Sequence, residues 1–507
     1  MIKKLLNRWL QPASKGTSAR FGKREEVGVA VHGIDRDLVD GRAIDVVETL
    51  QDAGFEAYIV GGAVRDLLLG KRPKDFDVAT NATPEQVKRL FRRAFIIGRR
   101  FRIVHVVYGR GRDHEVIEVT TFRAFLEASD AAKVSGNEKT HKRQLEHVEH
   151  AVDESGRVLR DNVWGSIEED AARRDFTINA MYYDPFTEKV IDYHHGIRDA
   201  QKRTLRMIGD PLTRYREDPV RVIRAIRFTA KLAGLGFKIE SKTKAPMAQA
   251  VSLLADVPQS RMFDEMLKLL QTGHALDTVD QIRKLGLSQG IYPLLALAVS
   301  RADDPLLRTA LADTDRRVGE GKPVAPSYLL ACLLWTDVRS AHAKVTKTNP
   351  RVPPMLALQQ AVDMAFEAHI GDVSGRGRLG ADMREIWMMQ PRFERRTARS
   401  SMALVMQNRF RAGFDFLRLR AQCGEVSLEL AEWWEAFSLA DEHSRASMID
   451  VVMRERRLLP GRKGKRDEDS DDDAEAAVSA DISPARKRRR RRRKPRAGDG
   501  ASAPTED

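Results

Sequence analysis

The run Ala57-Tyr58-Ile59-Val60-Gly61-Gly62-Ala63-Val64-Arg65-Asp66, followed closely by Asp75-Phe76-Asp77-Val78, constrains this chain more than any other stretch. A short apolar run ends in paired glycines, which free the backbone to turn tightly and to bring its amides close to a ligand. Val64, Leu67 and Leu68 then recur at helical spacing and Gly70 supplies a stop, so strand, turn and short helix follow in that order. In Asp75-Phe76-Asp77-Val78 a period of two puts Phe76 and Val78 on one face of a strand and both aspartates on the other. Two carboxylates held so close repel each other unless a cation sits between them. Hard oxygen ligands with an open side suit Mg²⁺ carrying a nucleotide's phosphates. Asp-x-Asp alone is commonly a solvated turn; the glycine turn upstream favours the metal reading.

Two later stretches add to this. Arg173-Arg174-Asp175-Phe176-Thr177-Ile178-Asn179-Ala180 offers planar guanidinium forks that match triphosphate oxygens, with Asp175 either catalytic or holding one of the arginines. In Arg216-Glu217-Asp218-Pro219-Val220-Arg221, Asp218 is placed to cap a helix with Pro219 in its first turn. Asp218 and Arg221 then stand one turn apart on a common side. They form either a helix-start ion pair or an acceptor and a forked donor presented to a base edge.

Taken in order, these four stretches resemble the GG-x-V-R-D, D-x-D, R-R-D-F-T-x-N and E-D-x-x-R motifs of the class II nucleotidyltransferases of the polymerase-beta superfamily. That family comprises the bacterial poly(A) polymerases and the tRNA CCA-adding enzymes. The resemblance covers about residues 30 to 270. It implies that Asp75 and Asp77 bind Mg²⁺ and that Glu118, on the alternating stretch Glu115 to Arg123, or Asp175 completes the acidic group, a plain surface glutamate being the alternative for Glu118. Asp75, Asp77 and Asp175 would be the catalytic carboxylates. Gly61, Gly62, Arg65, Arg173 and Arg174 would hold the triphosphate of ATP, while Asp218 and Arg221 read the base. The RNA 3′-hydroxyl attacks the α-phosphate and pyrophosphate leaves, one metal activating the hydroxyl and another balancing the leaving charge. Ile97-Gly98-Arg99-Arg100-Phe101-Arg102-Ile103-Val104-His105 resembles the signature that separates poly(A) polymerases from CCA-adding enzymes, and its mechanism is not legible in the sequence. The expected activity is template-independent addition of AMP to the 3′ ends of mRNA and other RNAs, as in polyadenylation and turnover. A CCA-adding polymerase, which also uses CTP, is the alternative enzyme. A non-catalytic RNA-binding protein with a decayed head is the alternative from another class, and the presence of both Asp75 and Asp77 argues against it.

The rest of the chain sets the frame. Its 507 residues, 42% hydrophobic, suffice for two or three domains with real cores. The expected fold class is α+β: a small mixed-sheet nucleotidyltransferase head, then an all-α neck, body and RNA-binding region, then a disordered charged tail. The expected boundaries are a flexible segment over 1–35, the head over 36–198, base-reading neck helices over 199–270, a helical body over 271–460 and the tail over 461–507. Within the head, a helix is expected over about 37–52 and another from Thr83-Pro84-Glu85-Gln86, a capping box, to about Arg93. Ile96 to Tyr108 reads as an apolar strand with a basic corner, Ala124 to about Leu159 as a mobile loop, and Lys189 to Tyr193 as the last strand.

Charge points to a polyanion. The chain carries 87 basic and 73 acidic residues, and the tail from Gly461 holds 14 and 11 of these, so the body keeps a net +11. Arg392, Arg395, Arg396 and Arg399 are candidates for RNA phosphate contacts, a solvated face being the alternative. The tail's acidic run, Asp467 to Glu475, precedes the basic run Arg486 to Arg496, which would bind RNA phosphate and for which the acidic run would compete. Two cysteines, Cys332 and Cys423, far apart in sequence, indicate neither a disulfide framework nor a zinc site, and a reducing cytoplasm is expected. No apolar run reaches the ~20 residues that span a bilayer. Leu6, Trp9 and Leu10 share one side of a possible short terminal helix, which would be frayed or weakly membrane-attached. A monomer is expected, with ATP, RNA 3′ ends and RNA-decay proteins as partners.

Overall fold

Eight strands, β1 Glu25–Gly28, β2 Ala57–Val60, β3 Asp77–Thr80, β4 Ala94–Ile97, β5 Ile103–Tyr108, β6 Glu115–Thr121, β10 Met181–Asp184 and β11 Lys189–Asp192, form a mixed sheet. Their order across it is β1-β11-β10-β2-β3-β6-β5-β4. Between them lie β7 Ala132–Lys133, β8 His150–Val152 and β9 Val158–Asp161, which form a separate three-stranded sheet. The computed structural model describes residues 21–98, 102–109, 114–125, 132–133, 150–152, 158–161, 163–287, 289–369 and 377–458. The expected amphipathic N-terminus, Arg99 to Phe101, most of the expected loop after Ala124, and the charged tail lie outside the described residues.

Only β3 and β6 run parallel; the other pairs in this sheet are antiparallel. One face carries Ile59, Val78, Val104, Val106, Ile117 and Val119, all buried beneath the helices Gly41–Asp52 and Pro84–Leu90. The first of these helices is shorter than expected. Asp40 caps it and Leu38 belongs to a preceding 3₁₀ turn, because the Asp40 carboxylate takes the Arg42 amide at 2.8 Å. The Thr83–Gln86 capping box forms in both directions, but its helix stops at Leu90, where Phe91 turns extended. Ile96 to Tyr108 is a hairpin, β4 against β5, rather than one strand. The stretch from Ala124 is not wholly a loop either, since β7, β8 and β9 pair within it.

From Pro211 to Leu439 the described residues are almost entirely helical, and proline opens the helices at 211, 293, 305, 326 and 354, where its missing N–H costs nothing. A single core runs from Phe176 and Ile178 through the neck helix Val220–Lys231 to Phe416 and Leu419. The segment with Phe176 and Ile178 is thereby packed against the helix Val220–Lys231, which matters because the candidate site lies between them. Residues from Ala440 form a second unit containing the helix Glu442–Leu458. Among the described residues no helix is long and apolar enough to cross a membrane. Both cysteines are free thiols, Cys332 buried and Cys423 partly so.

Candidate active site

Antiparallel pairing of β2 with β3 sets Val60 opposite Asp77, so the glycine turn that follows β2 lies beside the start of β3. Asp77 is the first residue of β3, and Asp75 belongs to the preceding loop. The expected alternation holds all the same: Phe76 and Val78 are buried, while Asp75 and Asp77 reach the cleft in front of the sheet. Gly61 adopts φ +77°, ψ −131°, and a Cβ there would come 3.6 Å from Arg174 Nη1. We expect Gly61→Ala to lower stability by about 1–3 kcal/mol, the usual cost of a strained backbone conformation, and to reduce RNA extension. Thermal unfolding and a primer assay would measure the two losses.

The helix Gly62–Leu68 buries Arg65, which is 1% exposed. Its guanidinium donates to Asp66 at 2.8 Å and to Asn179 Oδ1 at 2.8 Å, so it is aimed before any ligand arrives. Arg174 is similarly fixed. Asp170, buried at 6% exposure, accepts from Arg174 Nη2 at 2.9 Å and from Tyr182 Oη at 2.8 Å. Burial opposes ionisation of Asp170, but the charges of Arg174 and Arg173 hold its pKa below the ordinary value. Asp175 has a partner on another element. It pairs with Arg224, Oδ2 to Nη2 2.6 Å, and takes the Phe176 amide at 2.8 Å. Burial is again outweighed, here by Arg224, and the pKa stays low.

The helix Val220–Lys231 forms the opposite wall. Val222, Ile223, Ile226 and Ala230 are fully buried on one face, while Arg221, Arg224, Phe228 and Lys231, at intervals of three and four, line the cleft with the other. Asp218 is not the helix cap. It ends the preceding helix Pro211–Glu217, Pro219 occupies the cap position, and the Asp218 carboxylate meets Arg261 Nη2 at 2.8 Å. Arg221 is held separately by Glu217 at 2.9 Å and by the Arg214 carbonyl at 2.8 Å. Asp218 and Arg221 thus each have a partner of their own, Arg261 and Glu217, and both side chains line the cleft. Arg214 ties the walls together by donating to the carbonyls of Arg173 and Arg174 at 2.6 and 2.7 Å, which end the helix Ile167–Arg173. Burial and the neighbouring Arg221 bring its pKa down to about 10.

The resulting cleft has a volume of about 600 Å³. Gly61, Gly62, Arg65, Asp75, Asp77, Arg173, Arg174, Asp175, Asp218 and Arg221 all line it, as do Lys74, Arg224, Arg227, Phe228, Lys231 and Arg261, which sequence reasoning missed. The spacing of Arg221, Arg224, Phe228 and Lys231 was a visible signal; Arg261 gave none, since only packing of the helix Gln259–Leu270 brings it in. In all, nine Arg or Lys and five Asp side chains face the space, an excess of four positive charges that suits a triphosphate.

Glu118 is not part of this lining, although register sets it directly beside Asp77 on the parallel neighbour β6. Asp77 is pushed up to about 6 by burial first, then by the charge of Glu118 and, less, by that of Asp75. Among the described residues no group of three His, Cys, Asp or Glu is arranged to hold a metal. The donor set is two carboxylates in mutual repulsion at a cleft that admits a phosphate chain, and all-oxygen donors with an open side fit Mg²⁺.

Comparison with known proteins agrees with this geometry. Residues 57–206 match the family model "Poly A polymerase head domain", residues 236–298 "Probable RNA and SrmB- binding site of polymerase A", and residues 350–496 "Polymerase A arginine-rich C-terminus". Poly(A) polymerase I of Haemophilus influenzae is 41% identical over 448 residues, 87% of this chain and 94% of that protein. Poly(A) polymerase I of Salmonella typhi is 38% identical over 451 residues, 86% and 92% of the two chains. A CCA-adding enzyme of Lactobacillus helveticus is 35% identical over 283 residues, which is 53% of this chain and 61% of that one. Likeness to the polyadenylating proteins thus runs through the helical region as well as the head, and the chain belongs to the bacterial poly(A) polymerase I family.

Proposed function

We propose that this cleft carries the family's reaction as follows. The protein is a polynucleotide adenylyltransferase that adds AMP from ATP to RNA 3′ ends without a template. Asp75 and Asp77 would hold Mg²⁺, which when bound supplies charge neutralisation at the triphosphate and a lower pKa for the RNA 3′-hydroxyl. Arg65 and Arg174, both held by carboxylates, and Arg173 would orient the phosphates with little rotamer freedom left to lose. The amides of the Gly61-Gly62 turn can approach the phosphates closely because neither residue has a Cβ. Asp218 and Arg221 would read adenine, one accepting from the exocyclic amine and the other donating to a ring nitrogen. Glu118 fits as the third carboxylate better than Asp175, since Arg224 already occupies the latter.

The observation that carries this reading is the convergence of the paired aspartates, the fixed arginines and the Asp218–Arg221 edge on one cleft. The head over 36–198, neck over 199–270, body over 271–460 and segments at either end are the corresponding division of labour, with the body's basic faces, Arg392, Arg395, Arg396 and Arg399 among them, on the RNA. A monomer in the cytoplasm, working with RNA-decay proteins, fits that role. Supplying ATP, CTP, GTP and UTP singly, with a generic RNA and with a tRNA lacking its terminus, provides the test. Extension with ATP on both RNAs is expected; efficient CTP incorporation would overturn the assignment to adenylate addition.

A further inference from the structure

Within the stretch Ile97 to His105 that resembles the poly(A) polymerase signature, His105 has a definite place, and it is not in the cleft lining. Antiparallel pairing of β5 with β6 sets His105 opposite Glu118, and parallel pairing of β6 with β3 sets Glu118 opposite Asp77. Residues in register share a face of the sheet, and adjacent strands lie about 4.8 Å apart, so the three side chains form one row leading away from the paired aspartates. Their chain neighbours Phe76, Val78, Val104, Val106, Ile117 and Val119 are buried on the other face, which leaves this face to the row. His105 Nε2 and Glu118 Oε1 stand 3.3 Å apart, within ion-pairing reach although not in hydrogen-bond alignment.

We propose that His105 is a positioning residue that holds the Glu118 carboxylate in line with Asp77, from where a bound divalent cation would draw it in as a third oxygen donor, the three carboxylates not being gathered ready-made for a metal. This rests on the reading that Asp75 and Asp77 bind that cation. Three observations bear on it. The Glu118 side chain is 48% exposed, so without a partner it would be free to sample solvent-facing rotamers, whereas His105 is only 27% exposed and set on a paired strand. The field of Glu118 on Asp77 exceeds that of Asp75, so the carboxylate already lies at the dyad's shoulder. The other nearby acid, Asp175, is taken up by Arg224. A group that orients a ligand in this way, without touching metal or substrate, typically changes metal affinity or activity by ~10–100-fold when removed.

The test uses the full chain and four variants: His105→Leu, His105→Gln, Glu118→Gln and the double variant His105→Leu/Glu118→Gln. Binding of Mn²⁺ in the presence of a non-cleavable ATP analogue, followed by electron paramagnetic resonance, is read beside the Mg²⁺ dependence of kcat and the KM for ATP. Expected are a ~10–100-fold weaker Mn²⁺ affinity in His105→Leu, a nearly unchanged KM for ATP, and partial rescue by His105→Gln, whose amide can still donate to Glu118. The double variant should lose no more than Glu118→Gln alone. Additive losses, or His105→Leu binding Mn²⁺ as the wild type does, overturn the role of His105 while leaving the site reading intact. If Glu118→Gln itself binds Mn²⁺ normally, the third-donor reading of Glu118 fails, and the proposal for His105 with it. A lowered unfolding midpoint with unaltered Mn²⁺ affinity would mark His105 as merely structural and would also overturn the proposal.

Discussion

The double variant Asp75→Asn/Asp77→Asn should lose RNA extension by ~10²–10³-fold, the scale seen when a group stabilising transition-state charge is removed, while retaining RNA affinity. The same change should make the metal-free protein more stable. Asp77 has a folded pKa of about 6 against an ordinary 3.8, raised by burial and then by Glu118. A raised acid folds most favourably when protonated. Its contribution is fully present below the ordinary pKa of 3.8, declines as the pH climbs, and has become a full penalty above about 6. At pH 7.5 that penalty is at most about 3 kcal/mol, from a shift of roughly two units at 1.36 kcal/mol each. Asparagine removes it, so in chelator-treated buffer the double variant should unfold at a higher temperature than the wild type at pH 7.5, and the gap should close near pH 4. Adding Mg²⁺ should raise the wild type alone. Equal midpoints at pH 7.5 would contradict the like-charge cluster, and surviving extension would contradict the metal assignment.

This cluster was legible in the sequence because it is local. Val60 to Gly62 and Asp75 to Val78 declare strand, turn and alternation within a few residues, and a capping box such as Thr83–Gln86 needs no distant partner. What the sequence hid is what depends on packing. Asp170 reads as one acid among three at a helix start, and nothing local marks it as the buried partner of Arg174 and Tyr182. Asp218 looks like an N-cap because Pro219 follows it, yet its carboxylate is claimed by Arg261, 43 residues later. Asp175 was visible as an acid beside two arginines, while its partner Arg224 lies 49 residues later, on the helix Val220–Lys231. The hairpin of β4 and β5 had a local signal that was underread: Gly98 and the arginines after it break the apolar run between the two strands.

Asp170→Asn is the second change for which a large effect is expected, and the reason is the cost of orphaning a buried charge rather than the strength of the bond lost. Arg174 is held against Asp170 at 2.9 Å, lies 5.3 Å over the Tyr182 ring, and approaches the glycine turn through Nη1. Removing one partner of a buried pair leaves the other uncompensated, which typically destabilises by about 3–5 kcal/mol. Arg174 would be expected to turn toward solvent, away from the position that meets the triphosphate. Loss of a charge-assisted hydrogen bond of about 1.5–3 kcal/mol predicts a KM for ATP ~10–100-fold higher, with less change in kcat. The pH dependence has the opposite sign to that of Asp77. Asp170 is held below its ordinary 3.8, so its stabilising contribution is present above that value and is lost as the pH falls through the lower folded pKa. The wild type should therefore exceed Asp170→Asn in unfolding midpoint by a constant margin from neutral pH down to about pH 4, and by a shrinking one below it. A margin that shrank instead as the pH rose from 6 to 8 would mean that the fold penalises the Asp170 carboxylate, and that some group other than Asp170 fixes Arg174 against the glycine turn.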